Sequence, residues 1–372
     1  MKVAYLVGGL PFGGIERWLY DLCLEYGRTG LVRGRVFNLS GTGALLPEYR
    51  KAGIDLECVG SSLRAVATHR LDTALKLRGR LRAFRPDVIH TMHFMANHHG
   101  RIAALGLGIP VLVHLRNTKH EKKLVRRLSD KFLSYAATAY LAVSEAVARV
   151  VETDHNLAKR PVRVLYNALN PERLEAEPVD FAAAYGLKGP VVLAVGRYVP
   201  QKNLDLLIRA VGLLRGQGLD LGLVLVGEGP ERSRLEALRD SLGLGRQVVL
   251  TGFRPDVPAF YRASRVFAMP SDFEGFPIAH LEAMYCGLPA VVSGEVPSLE
   301  IAAEACLVCR REPEDIAEKL GRILRDEVLR ARLGERAARL AREHTMERYA
   351  RTLYSVYETV RAGDFPFPPA PG

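Results

Sequence analysis

A single tryptophan, five cysteines and no apolar run near the ~20 residues that cross a bilayer mark this 372-residue chain by what it has little of. Cys23, Cys58, Cys286, Cys306 and Cys309 are odd in number and lie mostly in apolar segments. Reduced thiols are expected, and a disulfide scaffold is excluded. Cys306-Leu-Val-Cys309 matches a CxxC pair, but it sits in a strand-like run with no second pair, which argues against zinc. The N-terminal run MKVAYLVGGLPFGG is apolar only briefly and continues into glycines rather than a small-residue cleavage site. A cytoplasmic protein is expected. Those glycines, Gly8-Gly9 through Gly13-Gly14, do not form GxGxxG. The next strand-like run ends in Asn38-Leu39-Ser40 without an acid, so dinucleotide binding is disfavoured. No repeat, low-complexity tract or recognisable nucleic-acid motif is present.

What is there is a globular composition long enough for two domains, 48% hydrophobic and 25% charged. The charge is uneven. Residues 1–178 carry 27 Lys+Arg against 16 Asp+Glu, which accounts for the whole net charge of +11; the remainder balances at 25 against 25. The densest basic run is KHEKKLVRRLSDK, residues 119–131. A basic half suits an acidic partner, with an anionic membrane surface favoured over nucleic acid; the competing reading is a solvated helix face.

Apolar runs at 2–7, 32–39, 54–59, 86–90, 111–115, 139–143 and 162–166 read as strands separated by amphipathic helices. After a break rich in Pro and acids, the alternation restarts at 191–195, 221–226, 248–250, 266–269 and 290–293. The expected fold class is α/β: two Rossmann-like domains with parallel sheets facing across a cleft. The domains are read as 1–168, a linker 169–186, a second domain 187–345, a last helix 346–362 and a tail 363–372.

The chemistry-bearing stretch is residues 266–287, VFAMPSDFEGFPIAHLEAMYCG. A strand ends at Pro270-Ser271. A loop holding Glu274 and Gly275 follows, and Pro277 suits the first position of a helix that Gly287 stops. A helix start favours an anion, while Glu274 and Glu282 suit hydroxyls; together they suggest a sugar joined to a phosphate. Gly196-Arg197 and Lys202-Asn203 bracket another strand-end loop, with Asn203 read as an N-cap. Two cations converging there fit a diphosphate leaving group, against the plainer reading of surface cations. Gly227-Glu228-Gly229-Pro230 is a strand-end turn in which Gly229 permits close approach to a ligand. Thr251-Gly252-Phe253-Arg254 suits a base edge.

In this order, Gly13-Gly14-Ile15-Glu16-Arg17, Gly196-Arg197 with Lys202-Asn203, Gly227-Glu228-Gly229-Pro230, Thr251-Gly252-Phe253, and Ser271 with Glu274-Gly275-Phe276-Pro277 and Glu282 resemble the family 4 retaining glycosyltransferases of the GT-B fold. Glu274 and Glu282, with seven residues between, look like that family's EX7E pair. The resemblance spans about residues 1–360 and is nearest to enzymes of bacterial surface and lipid-linked glycans. It implies a nucleotide-sugar donor, UDP- or GDP-linked, no cofactor and no required metal, and front-side displacement with retention. By resemblance, Arg197 and Lys202 bind the diphosphate, Glu274 contacts the transferred sugar and Glu282 the ribose. Ser271 and the amides of Gly275, Phe276, Pro277 and Ile278 line the phosphate or sugar. Gly13 and Gly14 approach the donor from the first domain, Gly227 and Gly229 border it, and Thr251, Phe253 and Arg254 lie near the base. The last helix is implied to pack back on the first domain.

One departure stands in Val113-His114-Leu115-Arg116-Asn117, where relatives carry a strand-end histidine. Arg116 is favoured for that position, with His114 as the alternative; the two point the same way along a strand. The loop read over residues 90–99, HTMHFMANHH, holds four of the ten histidines, but no Cys or acid accompanies them as a metal partner. His93 and Asn97, with His114 and Arg116, are expected to line an acceptor or sugar pocket, the acceptor being a glycan or lipid-linked; an arginine at 116 suits the donor sugar or an acidic acceptor but cannot act as a base. Two other functions remain open: a sugar-nucleotide 2-epimerase of the same fold, and a non-catalytic nucleotide-sugar or polyanion-binding protein.

Overall fold

The computed structural model describes residues 1–67, 71–118 and 124–367. They divide into two compact units. The first comprises Met1–Ala168 and the C-terminal stretch from Met346; the second comprises Leu169–Thr345.

In the first unit seven strands pair in parallel: β1 (Lys2–Val7), β2 (Arg33–Asn38), β3 (Leu56–Cys58), β4 (Val88–Met92), β5 (Val111–Leu115), β6 (Ala139–Ala142) and β7 (Val162–Val164). Their order is β3-β2-β1-β4-β5-β6-β7. Strands β1, β4 and β6 are almost wholly buried, as continuous apolar runs covered by helices on both faces must be. The second unit has β8 (Val191–Val195), β9 (Gly222–Val226), β10 (Val248–Gly252), β11 (Val266–Met269), β12 (Ala290–Ser293) and β13 (Cys306–Cys309), in the order β10-β9-β8-β11-β12-β13. Each sheet starts at its centre and grows outward in both directions. The direction reverses between β1 and β4 and again between β8 and β11. In doubly wound sheets that reversal opens a crevice at the strands' carboxyl ends, where ligands sit.

The expected strands are present with shifts of at most two residues at their ends. Three local expectations change. Residues 169–186 form a 3-10 turn, Pro171–Leu174, and a short helix, Phe181–Tyr185. They pack on the second unit instead of standing apart as a linker: Arg262 Nε donates to the Leu174 carbonyl, the Val179 amide to the Ala259 carbonyl, and the Phe181 and Phe260 rings lie 5.9 Å apart. Residues 90–99 are no loop. His90 belongs to β4, and Phe94–Ala104 is a helix. The amphipathic helix expected between the fifth and sixth strands, over residues 121–134, is described as Leu124–Phe132, and residues 119–123 lie outside the described residues. So do 368–372 of the tail.

The C-terminal helix, Met346–Ala362, belongs to the first unit. Tyr26 Oη, from the first helix Gly14–Thr29, donates to the Ala350 carbonyl at 2.8 Å.

Candidate active site

In the second unit the loops after β8 and β11 are knitted together at the sheet's reversal point. The Asp272 amide donates to the Gln201 carbonyl (2.8 Å), and Gln201 Nε2 to the Phe273 carbonyl (2.6 Å). Asn203 is not a side-chain cap. It takes the left-handed conformation (φ 50°, ψ 40°), which Asn tolerates better than most residues. Its Nδ2 donates to the Pro270 carbonyl (2.9 Å) and to Asp272 Oδ1 (2.7 Å). Asp272 also meets Arg311 at 2.7 Å.

This lacing brings Lys202 Nζ onto Glu274 Oε1, with both side chains largely buried. Arg197, on the same strand-end loop, is exposed and has no ion-pair partner among the described residues. Ser271 is buried, its carbonyl accepting from Ser293 Oγ at 2.5 Å. Gly275, Phe276 and Pro277 are buried beside it. Pro277 stands one position before the helix, in extended conformation (ψ 117°), and the helix runs Ile278–Tyr285. Glu282 lies within it, and Tyr261 Oη donates to Glu282 Oε2 at 3.0 Å. Burial, reinforced by that carboxylate, raises the Tyr261 hydroxyl pKa well above its usual range, so it remains a donor.

The turn Gly227–Pro230 approaches protein backbone rather than an open ligand space. A Cβ on Gly229 would fall 2.3 Å from the Tyr198 carbonyl oxygen, and one on Gly227 1.9 Å from that of Gly196. The glycines let the β8 and β9 loops touch. Thr251 Oγ1 donates to the Gly252 carbonyl (2.9 Å). Arg254 is paired with Asp256 at 2.6 Å, while Phe253 is half exposed. A groove of about 350 Å³, lined in part by Arg262, Arg265, Cys286 and Arg330, lies before β11 and β12, at the other end of the strands from these loops.

In the first unit a second cluster gathers after β1, β4 and β5. Gly13 precedes the first helix in extended conformation (φ −167°), and Gly14 opens it. Glu16 folds back so closely that a Cβ on Gly13 would lie 2.3 Å from its Oε2. Glu16 is buried, and its Oε1 is 3.5 Å from His93 Nε2. His93 ends β4 with φ +70° and ψ 153°, a conformation few non-glycine residues hold and one that clusters at functional sites. Burial and the nearby Arg116 charge push its imidazole down to about 4.

Asn97 is buried. Oriented so that its nitrogen meets acceptors, its amide donates to Thr91 Oγ1 at 2.7 Å and to the Thr91 and His93 carbonyls at 3.2 Å. It fastens the turn after β4 from within. His114 and Arg116 separate clearly. His114 is fully buried, its Nδ1 3.1 Å from His90 Nε2. Arg116 lies just past the end of β5. Its Nη2 donates to Asn167 Oδ1 at 2.5 Å, and its guanidinium sits 4.2 Å from the Trp18 ring centre. Glu16, Trp18 and Tyr261 were not singled out by sequence. Glu16 lies within the run Gly13–Arg17 and Trp18 is the lone tryptophan, but neither spacing nor composition reveals their contacts. Among the described residues no group of three or more His, Cys, Asp or Glu is arranged to hold a metal ion.

Two family models match the chain: "Glycosyltransferase Family 4" over residues 12–173 and "Glycosyl transferases group 1" over residues 180–340. A D-inositol 3-phosphate glycosyltransferase of Saccharomonospora viridis is 33% identical over 309 residues, covering 74% of this chain and 70% of the relative. A 2-deoxystreptamine glucosyltransferase of Streptomyces kanamyceticus is 28% identical, covering 77% and 79%. The crystal structure of Anabaena HepE in complex with UDP superposes with a TM-score of 0.83 at 22% identity, covering 96% of this chain and all of the other. The chain belongs to glycosyltransferase family 4: it is a glycosyltransferase of the GT-B fold.

Proposed function

We propose that this protein is a retaining hexosyltransferase that moves a sugar from a UDP- or GDP-linked donor to a glycan or lipid-linked acceptor without a required metal. The observation that carries the reading is the Lys202–Glu274 contact, with Arg197 beside it, at the carboxyl ends of β8 and β11. Two cations and a carboxylate at a sheet's reversal point suit a substrate that is anionic at one end and hydroxylated at the other. On a donor's arrival Lys202 exchanges Glu274 for phosphate oxygen. Glu274 is then left to accept hydrogen bonds from sugar hydroxyls. Glu282, held by Tyr261, takes the ribose, and the half-exposed Phe253 offers a face to the base. The UDP complex of HepE supports a nucleotide-linked donor.

In front-side displacement the bond from the anomeric carbon to phosphate oxygen breaks as the acceptor oxygen adds to the same face. The acceptor's proton passes to the departing phosphate, whose growing charge Arg197 and Lys202 stabilise. The test is a panel of UDP- and GDP-sugars, read by release of UDP or GDP and by the anomeric configuration of the product in 1H NMR, with and without EDTA. One donor class giving an α-linked product from an α-linked donor, undiminished by EDTA, is expected. Inversion, a trapped covalent glycosyl-enzyme, or loss of activity in EDTA sinks the corresponding part of the reading.

Work at a membrane surface is part of the same proposal. No helix among the described residues is long and apolar enough to cross a membrane. The helix Leu124–Phe132 carries Arg126, Arg127 and Lys131, while Leu128, Phe132 and nearby Tyr135 are exposed. Cations interleaved with exposed apolar side chains suit peripheral contact with anionic lipid. In flotation assays the protein should rise with phosphatidylglycerol vesicles and not with phosphatidylcholine; its absence from both defeats the idea.

A further inference from the structure

The first unit holds a concentration of unsatisfied hydrogen-bonding atoms that its fold does not explain. Among the described residues five buried side-chain atoms on four neighbouring side chains lack a hydrogen-bond partner: Trp18 Nε1, His114 Nε2, Arg116 Nε, Arg116 Nη1 and Tyr349 Oη. These side chains all meet at Trp18. Its ring centre is 4.2 Å from the Arg116 guanidinium carbon, 5.6 Å from the His114 ring and 5.2 Å from the Tyr349 ring. Buried polar groups ordinarily find partners, and a cluster left open in this way points to a missing ligand.

Arg116 decides what kind of ligand. Its Nη2 meets only the neutral amide oxygen of Asn167, while Nε and Nη1 carry three further N–H bonds, with no partner at either nitrogen. Glu16 is the carboxylate in electrostatic reach, yet it forms no ion pair with Arg116 and lies instead beside His93. A half-buried cation whose buried Nε and Nη1 have unmet donors, backed by an aromatic face and placed just past the carboxyl end of β5, matches an oxyanion better than a hydroxyl. The donor's diphosphate already has Lys202 and Arg197 in the second unit.

We propose that Arg116 receives a carboxylate or phosphate group carried by the acceptor, so that this enzyme glycosylates an anionic acceptor. The inference rests on the proposed transfer reaction and names its acceptor class.

The test uses the full chain with saturating donor and matched acceptors: glucose, glucuronate and glucose 6-phosphate, and inositol with inositol phosphate. The readout is UDP or GDP release above donor hydrolysis. At least one anionic acceptor should show a KM about ten-fold or more below its neutral partner, the ratio that one charge-assisted contact supports. Arg116→Gln should raise KM for the anionic acceptor, leave kcat little changed and erase the preference; Arg116→Lys should restore part of it. Three results overturn the proposal: no preference in any pair, equal losses for neutral and anionic acceptors in Arg116→Gln, or a comparable loss of UDP affinity by calorimetry in that variant. The last would place the oxyanion on the donor. Circular dichroism of both variants separates these outcomes from misfolding. Donor binding and hydrolysis by the unaltered protein test the transfer reaction independently of any result with acceptors.

Discussion

Lys202 and Glu274 neutralise each other when no substrate is bound, so each conceals the other's role. In the proposed reaction, removing the lysine strips charge stabilisation from the leaving phosphate, and it leaves Glu274 largely buried without the Lys202 charge. For Lys202→Ala, kcat/KM should fall by roughly 10²–10³, the range for loss of one preorganised electrostatic contact. UDP affinity should weaken with it in calorimetry. Activity within about two-fold of the parent would remove Lys202 from the reaction. Tyr261 acts one contact further out. Its hydroxyl fixes Glu282, so Tyr261→Phe should raise the donor's KM by about three- to ten-fold while kcat moves little, the size of one ordinary hydrogen bond acting through Glu282. An unchanged KM would mean that Glu282 does not need to be held, and would count against its contact with the ribose.

At the scale of elements, the second unit depends on how two loops are joined, and Asn203 is the joint. Its left-handed backbone turns the chain from the 3-10 turn Pro200–Lys202 into the helix Leu204–Gly216, and its amide holds the loop after β11. Asn203→Ala loses both hydrogen bonds and puts alanine, which tolerates the left-handed conformation less well than asparagine, at φ 50°, for a loss of about 2–4 kcal/mol. Asn203→Gly keeps the conformation and loses only the bonds, so its melting temperature should lie between the two. If Gly and Ala melt alike, the backbone conformation is not what Asn203 supplies. The strands around this joint were legible because a parallel sheet covered on both faces leaves long apolar runs in sequence, and the glycine turns mark where those runs end. The joint itself was not. Asn suits both an N-cap and a left-handed turn, and only contacts made some seventy residues away distinguish them. Pro277 likewise fits the first helical position or the one before it. Residues 169–186 looked like a linker because their prolines and acids interrupt the pattern, whereas Phe181 and Leu174 are anchored by partners in the helix Val257–Ala263. Of the candidate residues, those on strand-end loops could be found by position. Trp18 and Tyr349, more than three hundred residues apart, could not.

The chain as a whole leaves its first unit at Ala168, builds the second, and returns at Met346 to complete the first. What the returning helix closes over is a buried polar chain: Tyr357 Oη is 2.7 Å from His90 Nδ1, and His90 Nε2 is 3.1 Å from His114 Nδ1. Burial, helped by the Arg116 charge, lowers His90 from 6.5 to about 3 and pushes His114 well below its usual value, so both imidazoles are neutral in the folded protein. The unfolded chain, by contrast, protonates its histidines as the pH falls through about 6.5. Folded-state stability from this cluster is therefore fully present above pH 6.5 and declines below it. Because His90 stays neutral down to about 3, its loss grows at about 1.4 kcal/mol per pH unit and reaches about 2 kcal/mol by pH 5. His114 adds in the same direction. Most carboxylates titrate below that window, so a fall in melting temperature between pH 7 and pH 5 by calorimetry reports chiefly on histidines. His90→Gln can keep a hydrogen bond to Tyr357 or His114 but has no proton to gain, and its melting temperature should change less over the same interval. A flat profile in the unaltered protein, or equal slopes in the two, would show that the cluster under the returning helix does not remain neutral at the expense of acid stability.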